Sequence, residues 1–107
     1  MNDLIDVTYW KEKLTLFVAE RGWNKQHNPK NLAMDLVVEA TELMNIFTWA
    51  TTDDTIQSTI KNKLDHMKEE IGDVLITLIL ISKSLNINLS SALEEKLKLT
   101  KMKYPID

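Results

Sequence analysis

Apolar residues recur along this chain at the three- and four-residue spacing of amphipathic helices. Val7, Trp10, Leu14, Phe17 and Val18 form one stripe, which predicts a first helix from Asp6 to Arg21 with Asp6 as N-cap and Gly22 as the stop. The polar run from Trp23 to Lys30 then reads as a loop, because Pro29 cannot lie inside a helix without breaking it. Leu32, Leu36, Leu43 and Phe47 predict a second helix from Asn31 to Trp49, and Thr51-Thr52-Asp53-Asp54-Thr55 supplies a loop rich in capping residues. A long third helix is predicted from Ile56 to Leu85, with Ile60, Leu64, Met67, Ile71, Val74, Leu75, Leu78 and Ile81 facing inward. From Val74 to Ile81 it is apolar nearly all round and needs cover on every side. In so short a chain part of that cover is expected from another subunit, so this surface is the predicted interface. After Asn86-Ile87-Asn88, Ser91-Ala92-Leu93-Glu94 fits a capping box and starts a fourth helix near Ser90 or Ser91. It ends before Tyr104-Pro105, because the residue ahead of a proline is pushed out of the α region. The expected fold is all-α, a bundle of four main helices in one domain over residues 1–107.

Composition narrows the function. Two glycines and two prolines in 107 residues agree with long helices and few connections. The net charge of −3, with lysines scattered along the chain, gives no basic surface, so no nucleic-acid partner is expected. There is no cysteine, which excludes disulfides, thiolate metal sites and cysteine nucleophiles. The N-terminal residues Met1–Asp6 lack the basic-then-apolar order of a signal peptide, and the longest apolar run is far too short for a bilayer. A cytoplasmic location with no membrane partner is expected.

Four carboxylates carry the candidate chemistry. Glu39 and Glu42 are three apart on the second helix, and Glu39 falls on or beside its apolar stripe. Glu70 and Asp73 repeat the spacing on the third helix, and Asp73 introduces the most apolar run of the chain. By spacing alone each pair reads first as part of a solvated face, where acidic residues normally lie. Two such pairs on consecutive helices, both among apolar residues, tilt the reading the other way. Buried carboxylates are costly unless paired, and four of them repel one another. A divalent cation removes both problems, and Mg²⁺ or Mn²⁺ prefers oxygen ligands. Gly72, unfavourable inside a helix, is read as allowing close helix approach or ligand access.

Glu39-x-x-Glu42 followed by Glu70-x-x-Asp73 resembles the signature of the MazG-like all-α nucleotide pyrophosphohydrolases, ExxE, a spacer, then ExxD. Phe17-Val18-Ala19-Glu20-Arg21-Gly22-Trp23, His27-Asn28-Pro29-Lys30-Asn31-Leu32 and Phe47-Thr48-Trp49 are similar to the compact branch that includes dCTP pyrophosphatase. So is the closing Lys96-x-x-x-Thr100-x-x-Lys103-Tyr104-Pro105. The resemblance runs from about Leu14 to Pro105. It implies Mg²⁺-dependent hydrolysis of a nucleoside triphosphate, such as dCTP, between the α and β phosphates, in the cleaning of nucleotide pools. It implies that Glu39, Glu42, Glu70 and Asp73 hold the metal and perform the catalysis. It implies that Trp23, His27, Trp49, Lys96, Thr100, Lys103 and Tyr104 bind substrate, and that the chain forms a homodimer or homotetramer with shared sites. Two positions depart: Thr100 stands where the family often has Asn, and Thr77 where the branch has Tyr. Both bear on base and sugar preference and neither touches the metal site.

Other readings exist for the same residues. A Trp at helical spacing is ordinarily core or interface packing. His27 reads as a solvated loop histidine, His66 as a partly exposed structural residue, and the C-terminal lysines as a solvated helix end suited to the macrodipole. A di-iron bundle would need Glu-x-x-His, but Asn24 and Lys63 stand three residues before the two histidines. A non-catalytic helical dimerisation or regulatory module explains the apolar third helix but leaves the two acidic pairs without a role.

Overall fold

Asp6 opens the first helix: its side chain accepts a hydrogen bond from the Tyr9 amide at 3.0 Å and satisfies a donor that the first turn leaves free. In the computed structural model, which describes residues 3–106, four helices follow in order. They are α1 (Val7–Glu20), α2 (Pro29–Ile46), α3 (Asp53–Ser84) and α4 (Leu89–Lys103).

The end of α1 is set by Gly22, at φ 67°. The Gly22 amide donates to the Ala19 carbonyl and the Trp23 amide to the Val18 carbonyl, both at 3.1 Å. These are the paired bonds of a Schellman stop, and they turn Trp23 back onto the helix it follows. Asn86, at φ 54°, ends α3 in the same way, with the Ile87 amide donating to the Ser82 carbonyl at 2.8 Å.

Four expected boundaries move. Pro29 does not sit in a loop; it is the first residue of α2, where its missing N–H costs nothing, and Asn28 caps the turn by accepting from the Asn31 amide at 2.8 Å. α2 stops at Ile46, ahead of Trp49, as residues 47–49 tighten into turns. The cap of α4 is Asn88, which accepts from the Ser91 amide at 3.0 Å, so Ser91 lies inside the helix and does not cap it. α3 starts at Asp53 and not at Ile56, because Thr52 and Thr55 form a reciprocal capping box there.

The connection at 47–52 returns α3 along α2, and this pair makes the most extensive helix contact; α1 lies against α3. The core is small: Leu14, Val18, Leu32, Ile46, Met67 and Ile79 are buried, with Glu70, Thr77 and Ser82 among them. α3 breaks at Lys63 (φ −127°, ψ 22°), which lines a small cavity with Asn45, Ile46 and Trp49 at the end of α2. No proline or glycine lies there; the break falls where α3 runs past the end of its neighbour.

α4 turns away from α3 by 100° and buries none of its residues. With neighbours on two sides only, α3 leaves Leu64, Ile71 and Leu78 exposed, although their spacing predicts an inward face. Close approach at Gly72 is likewise absent within one chain: a Cβ built there meets nothing within 4 Å. Among the described residues, no single helix is long and apolar enough to cross a membrane.

Candidate active site

Helical spacing puts Glu39 and Glu42 on one face of α2 and Glu70 and Asp73 on one face of α3, and the return at 47–52 turns those faces toward each other. One oxygen from each of the four carboxylates lies within 4.8 Å of the other three. A purely solvated acidic face does not describe this arrangement. Glu70 is buried at 8% exposure, Glu39 is half-buried, and Glu42 and Asp73 keep solvent access.

The electrostatics follow from the crowding. Loss of hydration, then the charges of Asp73, Glu42 and Glu70, raise the Glu39 carboxyl above its ordinary value. Glu70 is raised by loss of hydration, then by neighbouring Glu42 and by Asp73, while its hydrogen bond with His66 pulls the other way. One oxygen of each, Oε2 of Glu39 and Oε2 of Glu70, is buried with no hydrogen-bond partner. Buried polar atoms nearly always have a partner. Two orphaned oxygens within a converging set of four acids form a group that could hold a cation. Two oxygens on opposite sides of a Mg²⁺ ion, each bonded at about 2.0–2.1 Å, stand about 4.2 Å apart. The quartet lies a small side-chain adjustment from that spacing, and all its donors are hard oxygens, so the residues fit Mg²⁺ or Mn²⁺.

A cleft opens beside the quartet, with Glu39 and Asp73 in its wall. Trp23 and His27 line it with Phe17, Leu32, Asp35 and Thr77. The Schellman turn sets Trp23 edge-on to Phe17, with ring centroids 5.7 Å apart, and Trp23 lies 6.0 Å from the His27 ring. The His27 amide donates to the Trp23 carbonyl at 3.2 Å, while its buried Nδ1 has no partner. Asp35 and Phe17 were not candidates from the sequence. Asp35 was visible there as a further acid one turn before Glu39.

The remaining candidates lie elsewhere in the single chain. Trp49 is 88% exposed and borders the cavity at the Lys63 break. Lys96, Thr100 and Lys103 ride on α4, with Tyr104 at its end, and none lines the cleft. The Thr100 hydroxyl is taken by the Lys96 carbonyl at 2.9 Å. Lys103 Nζ stands 5.4 Å from the ring of Tyr104. The cleft of one chain holds about 150 Å³, below the roughly 300–1,000 Å³ of typical ligand pockets.

Known proteins resemble this chain in sequence and fold. The chain is 33% identical over 91 residues to dCTP pyrophosphatase 1 of Mus musculus, and 33% identical over 90 residues to dCTP pyrophosphatase 1 of Homo sapiens. These matches take in 84% and 83% of this chain but 54% and 53% of the relatives, so the chain spans about half their length. Its fold matches the crystal structure of a pyrophosphatase from Archaeoglobus fulgidus with a TM-score of 0.90 and 32% identity, covering 99% of this chain and 98% of that one. The profile of the MazG-like family matches residues 35–107, which takes in all four carboxylates, and the chain belongs to that family.

Proposed function

We propose that this protein is a divalent-metal-dependent nucleoside triphosphate pyrophosphohydrolase, cutting between the α and β phosphates to release a monophosphate and pyrophosphate. The observation that carries the reading is the meeting of Glu39, Glu42, Glu70 and Asp73 with two buried, unpartnered oxygens beside an aromatic cleft. These four side chains would hold Mg²⁺, or Mn²⁺ in its place, which would supply charge neutralisation for the triphosphate and activation of water. The chain does the rest by positioning. Trp23 offers an aromatic face to a base, His27 lines the cleft beside it, and Phe17 and Leu32 help exclude water. The likeness to dCTP pyrophosphatases supports a deoxynucleoside triphosphate such as dCTP as substrate.

The test is a panel of the ordinary dNTPs and NTPs with Mg²⁺, in which pyrophosphate and orthophosphate are measured separately. Pyrophosphate with monophosphate, lost on chelation, is the expected result. Orthophosphate with diphosphate would move the cut to the β–γ bond, and no product from any nucleotide would favour a non-catalytic helical module.

The same reading takes the working unit to be a homodimer or homotetramer. An apolar groove of about 400 Å³ runs between α1 and α3, lined by Ile5, Trp10, Leu14, Leu75 and Ile79 and bordered by Gly72, where nothing fills the space. α4 leaves Leu93, Leu97, Leu99 and Met102 exposed. Unpartnered apolar surfaces of this extent mark interfaces, and a second copy covering them would bring α4, with Lys96 and Thr100, to a neighbouring cleft. Sedimentation velocity at assay concentration is expected to give at least twice the chain mass. A fully active monomer would sink this part of the reading.

A further inference from the structure

One turn before the buried Glu70, α3 carries His66, whose Nε2 lies 3.2 Å from Glu70 Oε1. The two oxygens of Glu70 are therefore unlike. Oε1 has a partner on its own helix, whereas Oε2 is buried with none and belongs to the acid that shares the carboxylate quartet. We infer that His66 is a positioning residue for the metal site: its Nε2–H donates to Glu70 Oε1 and so fixes Oε2 toward the cation. This rests on the metal-site reading above.

The helix geometry favours the arrangement. Side chains tilt toward the helix N-terminus, so Glu70 leans back over the turn that carries His66. A neutral imidazole with its proton on Nε2 suffices, and no change of charge is required. The His66 side chain is 53% exposed and the Glu70 side chain 10%, so the histidine approaches the carboxylate from the solvent side. His66 is not among the groups whose ligand atoms converge within 4.8 Å, so it acts through Glu70 and does not itself bind the ion. A hydrogen bond to the far oxygen of a metal-binding carboxylate sets its orientation, and losing such a partner typically weakens metal binding by about 10–100-fold. An ordinary exposed helix pair would leave metal affinity unchanged.

The experiment measures Mn²⁺ binding without nucleotide, by the electron paramagnetic resonance of free Mn²⁺, for the wild type, His66→Ala and His66→Gln. Melting in EDTA is followed in parallel. His66→Ala is expected to weaken Mn²⁺ binding about tenfold with the metal-free melting temperature unchanged. His66→Gln, which keeps an N–H donor, is expected to restore most of the affinity. An alanine variant that binds as tightly as the wild type, a glutamine variant as weak as alanine, or a fall in metal-free melting that accounts for the loss would each overturn the assignment. Failure of the wild type to bind Mn²⁺ would show before any variant was compared; it would remove the metal site itself, and the role of His66 with it.

Discussion

Glu39→Gln and Glu70→Gln are expected to lower kcat/KM by at least about 10²–10³-fold, the usual cost of removing one preorganised charge-stabilising group, while the metal-free protein melts at a higher temperature. The two effects share a cause. Glu39 and Glu70 lose hydration and face other carboxylates across the α2–α3 contact, so their charged forms are disfavoured until a cation arrives. Glutamine keeps the shape and removes the charge. It relieves the repulsion and takes away a ligand in the same step, the trade between stability and function seen at strained sites. Glu12→Gln, on the exposed face of α1, is the control and is expected to change neither quantity. Pyrophosphate release and melting in EDTA are the two readouts. Full turnover in both site variants would remove the metal assignment. A lower melting temperature in EDTA would mean that hydrogen bonds to the carboxylates outweigh their repulsion.

The helices were legible because their stripes and caps are local. Asp6 and Gly22 bound α1 through contacts within a few residues, and sequence spacing finds such contacts. Proline interrupts helices but also suits the first helical position behind an Asn cap, and at Pro29 the second property prevails. The inward face of α3 was overdrawn for a different reason. Periodicity shows which positions want cover, and Leu64, Ile71 and Leu78 want it, but a single chain has too few helices to supply it. The carboxylate pairs were visible as spacing, and their meeting depended on the turn at 47–52, which no periodicity encodes. Trp23 and His27 reach the cleft through a Schellman stop and a capped loop, both local devices. Trp49 sits past the end of α2 and α4 turns away from α3 by 100°, so neither Trp49 nor the α4 residues line this chain's cleft.

Metal-free protein is expected to lose stability as the pH rises above 4.5 and through the raised values of Glu39 and Glu70, and saturating Mg²⁺ to reverse that loss. The direction follows from proton binding. Glu39 and Glu70 titrate above the ordinary value of 4.5 in the folded state, so between 4.5 and the raised value the folded protein holds protons that the unfolded chain has released. Stability falls with pH wherever the folded state binds more protons. The contribution of these groups is therefore complete below pH 4.5 and is lost as the pH passes through their folded values. On the proposed function Mg²⁺ competes with those protons for the same oxygens. An ion that binds the deprotonated quartet and not the unfolded chain would stabilise the fold, by about 2.7 kcal/mol at a hundred times its Kd. Melting curves across this range, in EDTA and in Mg²⁺, for the wild type and the Glu39→Gln/Glu70→Gln double variant, separate the contributions. The double variant is expected to lose both the downward slope and the Mg²⁺ response. A wild-type slope equal to that of the double variant would mean the two carboxyls titrate normally. A Mg²⁺ response that survives in the double variant would mean the ion stabilises the fold from another site. Only a cation seated on these oxygens makes the slope and the response disappear together.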